Sequence, residues 1–199
     1  MNTRLFIPAL LIVACSATED STTSPTEPDD RAELESLGGT WRDPAPYPYG
    51  EAFGSREFTF DDGRWTLRFT LSLDPEGKLP VFDFRTHGRY EVGAPAKGVD
   101  GAYEAVFHEE QKLLTLRTTD PGLAEAFGFA ACGLTVGQEK DVSATGCSAW
   151  KPVAECPTDH DLLAMVDDGR LAFGVRPKDN DMCTPDKRPR ALTPPVHKL

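Results

Sequence analysis

Residues 64–74 read Arg-Trp-Thr-Leu-Arg-Phe-Thr-Leu-Ser-Leu-Asp, and apolar and polar side chains alternate without a break. Trp65, Leu67, Phe69, Leu71 and Leu73 fall on one face; Arg64, Thr66, Arg68, Thr70, Ser72 and Asp74 fall on the other. A period of two means a β-strand with one buried and one wet face, which requires a sheet of similar strands around it. Residues 57–60 alternate in the same way, and Asp61-Asp62-Gly63 between the two runs has the composition of a tight hairpin turn.

The same reading predicts strands over 81–85, 88–92, 101–108, 112–118 and 134–138, with His87 as a turn residue. A second hairpin is expected, 161–166 and 170–175, across Asp167-Asp168-Gly169. Only 122–131 suggests a helix, short and with Gly128 inside it. Eight or nine short strands joined to their sequence neighbours form an antiparallel meander, which manages its edges by closing into a barrel or folding into a sandwich. The fold class expected is therefore all-β, a meander barrel with one short helix. Leu37-Gly38-Gly39-Thr40-Trp41-Arg42 resembles the Gly-x-Trp that opens lipocalin and related calycin barrels. That resemblance implies that Trp41 plugs one end of the barrel and that an arginine from the last strand, here Arg176, lies across it as a cation–π partner.

The amino-terminal residues carry a different message. Arg4 precedes an apolar run over 5–14 that is too short to span a bilayer, and the run ends Leu11-Ile12-Val13-Ala14-Cys15. This resembles a bacterial lipobox, which implies export, cleavage before Cys15 and acylation of that cysteine, with chains such as palmitate. Residues 16–30 are rich in Ser and Thr, contain Pro25 and Pro28, and hold too little apolar surface to fold. The expected organisation is a signal peptide over 1–14, a lipidated cysteine and tether over 15–30, a barrel over 31–183, and a proline-rich basic tail over 184–199, a strap or a loose end. Without 1–14 the chain keeps 20 Lys and Arg against 32 Asp and Glu, a net charge of −12. Such a chain has no general affinity for nucleic acid or for anionic headgroups, so its membrane partner is reached through acyl chains. Ser16 after the cysteine is not the aspartate linked to inner-membrane retention, so the outer membrane or cell surface is the expected location.

Four cysteines follow: Cys132, Cys147, Cys156 and Cys183. An even number in an exported chain reads as two disulfides. Three pairings are open, and the hairpins favour Cys132–Cys147 and Cys156–Cys183. Cys156 and Cys183 flank the hairpin centred on Asp168, and the other two flank 134–144, whose turn is expected at 138–141.

Several stretches then resemble the adenomatosis polyposis coli down-regulated family: Phe129-Ala-Ala-Cys132, 141–147 with Gly146-Cys147, Cys156, Asp161-Leu162-Leu163, 170–174, and Asp181-Met182-Cys183-Thr184-Pro185 with Arg188-Pro189. Animal members are extracellular Wnt antagonists built from lipocalin-like open barrels and are thought to sequester lipid, including the acyl group of the signal. The resemblance spans most of 37–196 and is loose in its first half. The animal proteins carry two such domains, a transmembrane anchor and further cysteines in the first half, where this chain has none between Cys15 and Cys132.

Motifs for catalysis are lacking. Gly146-Cys147-Ser148-Ala149-Trp150 is not Gly-x-Ser-x-Gly, and Phe107-His108-Glu109-Glu110 is not a zinc-binding His-Glu-x-x-His. Asp159-His160-Asp161 sits at a strand start, where charged side chains are normally solvated. No enzyme, cofactor or metal is expected. The binding reading rests on the aromatics. Trp65, Leu67, Phe69, Phe82, Phe84, Tyr90, Tyr103 and Phe107 are expected to line the barrel, with Arg85 as the one cation for a ligand's head. A small barrel of this strand number either fills with side chains or holds one small ligand. The expected function is thus an apolar-ligand carrier such as a lipid binder, and the alternative is a solidly packed interaction or structural module.

Overall fold

The computed structural model describes residues 30–166 and 169–199. The lipobox, Cys15 and the tether up to residue 29 lie outside the described residues, as does the Asp167-Asp168 pair of the second hairpin.

A short helix, α1 (Asp30–Glu35), leads into β1 (Gly39–Arg42), β2 (Tyr47–Tyr49), β3 (Ala52–Asp61) and β4 (Arg64–Ser72). The long strand β5 (Pro80–Pro95) follows, then β6 (Tyr103–His108) and β7 (Gln111–Leu116). After helix α2 (Pro121–Ala126) come β8 (Glu139–Asp141), β9 (Thr158–Val166), β10 (Arg170–Phe173) and β11 (His197–Lys198). Every strand pairing is antiparallel, and the order around the sheet is β10-β9-β6-β5-β4-β3-β1-β11. Bridges from Leu171 to Val196 and from Gly174 to Leu192 return the last stretch to β10, giving a nearly closed eight-stranded barrel. The expected all-β meander barrel is present.

The 64–74 alternation forms the wall it predicts as far as Leu71; a register shift between Leu71 and Ser72 then reverses it, burying Ser72 and exposing Leu73. Asp61 pairs with Arg64, and Asp62 and Gly63 both take positive φ, 45° and 71°, the geometry that suits a two-residue hairpin to the strand twist. Three expectations about the elements need correction. Residues 81–85 and 88–92 are halves of one strand, so His87 is mid-strand and not a turn. Residues 134–138 form no strand; the short pairing with β7 is made by β8, at the place read as the turn, and Leu134 packs inward instead. The helix over 122–131 divides into α2, capped by Asp120 through Gly122 N–H, and a 3₁₀ turn at Ala130–Cys132.

Strand β5 sets the shape of the barrel. Its first half pairs with β7 (Phe82 to Leu116, His87 to Gln111) and its second half with β6 (Tyr90 to Phe107, Pro95 to Tyr103). The wall therefore splits at Gly88. Strand β6 continues around the barrel to β9, while β7 turns away with β8. The proline-rich stretch after Thr184 is a structural strap: Val196 is fully buried and exchanges both backbone hydrogen bonds with Leu171, and Thr193 N–H donates to Phe173. Both expected disulfides are present, Cys132–Cys147 and Cys156–Cys183.

Candidate functional site

The residues expected to line one cavity belong to two separate packed clusters. Trp65, Leu67, Tyr90, Tyr103 and Phe107 join Phe58, Phe60, Phe173 and Trp41 in the barrel proper. Phe69, Phe82 and Phe84 join Leu114, Phe129, Val142, Phe127 and Trp150 in the second, under the disulfide-stapled excursion between β7 and β9. The rings meet one another. Phe58 stacks on Phe173 with centroids 3.9 Å apart, Trp65 meets Phe107 edge-on at 4.7 Å, and Phe60 meets Tyr90 at 5.1 Å. In the other cluster Phe82 contacts Phe129 at 5.2 Å and Trp150 at 5.3 Å, and Phe84 stacks on Trp150 at 5.0 Å. Helix α1 stoppers one end: Leu34 is fully buried, and the Tyr90 hydroxyl accepts from Leu37 N–H (3.1 Å) and donates to the Leu34 carbonyl (3.0 Å).

Arg85 faces away from both clusters. It is exposed and pairs with Glu139 at 2.7 Å, so it cannot recognise a head group inside the barrel. The expected Trp41–Arg176 pair is not formed. Trp41 is buried in the first cluster, but the cation over its ring is Lys198, 5.3 Å from the centroid. Arg176 instead donates to Asp159 (2.7 Å) and Asn180 (2.7 Å). The strap brings β11 against β1 and so puts Lys198 where the last strand was expected to put Arg176.

What the interior holds besides rings is charge. Asp159 and Asp161, read as solvated, are buried, with Asp43, Arg56, Glu109 and Lys112. The ammonium of Lys112 meets Glu109 Oε2 (2.7 Å) and the carbonyls of Lys151 (3.0 Å) and Cys156 (3.1 Å), one acceptor for each of its three protons. Burial, with Asp159 adding to it, pushes the Glu109 carboxyl up to about 7. Glu109, Lys112, Asp159, Arg176 and Asn180 surround a recess of about 10 Å³ in the wedge where the wall splits, which is room for one water. Each of these charges has a protein partner, so the network works as internal bracing. It was readable in principle: Arg56 shares its face of β3 with Gly54 and Phe58, and Lys112 its face of β7 with Leu114 and Leu116.

Asp161 gives this network a measurable signature. It accepts the N–H groups of Leu162 (2.7 Å) and Gly174 (2.9 Å), and burial pushes its carboxyl from 3.8 up to about 6. The folded state thus holds this proton more tightly than the unfolded chain does. The resulting stability is complete below the unfolded pKa and is lost as pH rises through about 6. Asp161→Asn keeps an acceptor without the charge. Between about pH 4 and pH 7 the wild type is expected to lose roughly 2 kcal/mol relative to that variant. Urea unfolding across the range measures it, and a difference that does not change with pH refutes it.

No protein-family model matches the chain, and a search of curated proteins finds no match.

Proposed function

We propose that this protein is an exported, lipid-tethered module whose barrel is a solid scaffold and which acts through its outer surface. The observation that carries this reading is the ring packing. The side chains that would have to line an apolar cavity spend their faces on each other, in two clusters, with a helix across one end and a stapled excursion over the other. In a barrel of this size, side chains that fill the interior leave the outside for recognition. Tethering at Cys15 follows from the lipobox-like sequence, and an outer-membrane or cell-surface location goes with it. Kinship with the adenomatosis polyposis coli down-regulated family belongs to the same proposal, supported by the disulfides in the stretches that resemble it. The family's sequestration of acyl groups is not carried over, because a shared barrel does not fix a ligand.

The test uses the Cys15→Ser protein, which lacks its own acyl anchor. Native mass spectrometry should find no bound lipid, and titration with a fluorescent fatty acid should not saturate. A stoichiometric non-covalent lipid, or probe binding that Phe107→Asn abolishes without unfolding the domain, would return the barrel to the carrier reading.

A further inference from the structure

The outer face of β4 and β5 gathers cations in an acidic chain. Over the stretch where the two strands pair, the eight outward positions, 64, 66, 68 and 70 on β4 and 83, 85, 87 and 89 on β5, hold four arginines, one histidine, two threonines and one aspartate, with Glu91 next beyond them on β5. The pairing register sets Arg64 directly across from Arg89 and Arg68 directly across from Arg85. Like charges directly opposite on a sheet destabilise it. Acidic neighbours offset part of this. Arg64 pairs with Glu110, Arg85 with Glu139, and Arg68 shares the buried Asp83 with Arg117. The Arg64–Glu110 and Arg85–Glu139 pairs are exposed on both sides and worth no more than about 1 kcal/mol, so an arriving anion can exchange for those acids, whereas the buried Asp83 stays in place and Arg68 offers only its exposed outer edge.

Beside Arg68 the face deepens into an open groove of about 150 Å³, lined by Arg42, Ser55, Arg56, Glu57, Arg68 and Thr70. That is roughly the volume of five waters, the scale of one sugar ring. Arg56 spends its guanidinium inward on Asp43, Thr70 donates its hydroxyl to Asp83, and Arg42 holds Glu57 at 3.5 Å, so the groove offers the half-exposed guanidiniums of Arg42 and Arg68 and the Ser55 hydroxyl beside one exchangeable carboxylate, Glu57. Along β4 the arginines recur after four residues, about 13 Å at the rise of an extended strand, and β5 repeats the spacing alongside. No aliphatic or aromatic side chain stands among the outward positions of this face, whereas a protein partner is anchored by buried aromatic or aliphatic groups.

We propose that the β4–β5 face binds a polyanionic polysaccharide, with one acidic sugar in the groove at Arg42 and Arg68 and further acidic groups on the Arg68/Arg85 and Arg64/Arg89 pairs. The inference rests on the surface-acting reading above and names its partner class. Arginine forks match carboxylate, sulfate and phosphate oxygens, and the interleaved threonines and serine supply hydroxyl partners for a sugar. The strongly acidic remainder of the chain would repel any other approach of such a polymer, which orients the encounter.

The test measures retention of the intact, Cys15→Ser chain on polygalacturonate and dextran sulfate, with neutral dextran as reference. Net charge alone would carry this acidic protein past both polyanions. Salt-sensitive retention on at least one of them, and none on neutral dextran, is the expected result. Arg68→Glu with Arg85→Glu should weaken binding at least tenfold, and Arg68→Gln with Arg85→Gln by several-fold. Lys97→Glu with Lys178→Glu, the same change in net charge elsewhere on the surface, should leave binding unchanged. The proposal is overturned if the wild type binds neither polyanion, or if the control pair weakens binding as much as the arginine pair. It is also overturned if anionic phosphatidylglycerol vesicles or poly-glutamate bind as tightly as the polysaccharide. A negative result here together with an empty barrel by mass spectrometry removes this partner while leaving the surface-acting reading in place; a lipid-filled barrel removes that reading itself.

Discussion

Arg56→Met should destabilise the domain by about 3–5 kcal/mol, the cost of leaving a buried charge without its partner. Asp43 and Arg56 have side chains only 2% and 6% exposed and are joined at 2.7 Å between Arg56 Nη2 and Asp43 Oδ1, with Nε on Oδ2 at 3.1 Å. Bidentate geometry of this kind is what lets a buried pair offset its desolvation. The same guanidinium sits 4.4 Å over the Tyr47 ring and donates to Thr193 Oγ1 (2.6 Å) and to the Pro194 carbonyl (2.7 Å). Losing it thus strands the Asp43 carboxylate and releases the strap that closes the barrel. Adding Asp43→Asn removes the stranded charge but cannot restore the strap, so the double variant should regain about half of the loss. Chemical unfolding of the four proteins measures the cycle. An Arg56→Met cost under about 1 kcal/mol, or a double variant no more stable than the single one, would show that the pair does not brace the barrel.

Arg56 also marks where sequence patterning stops being informative. Alternation located the β3–β4 hairpin because both strands have one apolar and one polar face over most of their length. In β3 the inward series runs Gly54, Arg56, Phe58, Phe60, so its upper half departs from the rule that inward means apolar. The same happens in β7 at Lys112 and in β9 at Asp159 and Asp161. Lys112 and Asp161 have one partner close by, Glu109 and the Leu162 N–H, but Arg56 and Asp159 are held from farther along the chain, by Thr193 and Pro194 and by Arg176, and no local pattern announces such partners. The disulfide pairing was legible because each bridge closes a stretch of the chain that folds back on itself. The cation over Trp41 was not, because it depends on the strap, whose prolines read as loop and whose inward residues, Pro189, Leu192 and Val196, make no periodic signal. The site followed the same logic. Apolar alternation identified the inward side chains from Trp65 to Leu71 but failed past the bulge, where Leu73 is exposed, and it carries no information on whether the inward ones meet one another or leave a space. The two-cluster arrangement arises from the splitting of β5's partners, and that split is set at Gly88.

Gly88→Ala is the substitution expected to do most damage for its size. A methyl group there would overlap the His108 carbonyl oxygen and lie 2.8 Å from its carbon, both backbone atoms that cannot swing aside. The close approach is built into the barrel. Gly88 lies directly across from Trp65, and the His108 carbonyl passes over it to accept the Trp65 indole N–H at 3.1 Å. On the far side, the Glu110 N–H donates to the His87 carbonyl and starts β7 on the same edge of β5. Glycine in a strand costs conformational entropy, and here it is the residue that admits a second backbone where the wall divides. Forcing a Cβ into that space must move β6 off β5 or break the Trp65 bond, and a loss of about 3 kcal/mol or more is expected, with red-shifted tryptophan emission as Trp65 loosens from Phe107. Gly93→Ala serves as the comparison. It lies in the same strand, its new methyl would meet the Glu104 carbonyl at 3.2 Å, and a shift of a few tenths of an ångström relieves it, so its cost should stay near 1 kcal/mol. Equal melting temperatures for the two variants would mean that β5 can change partners without Gly88, and the division of the aromatic core into two packed clusters would then need another cause.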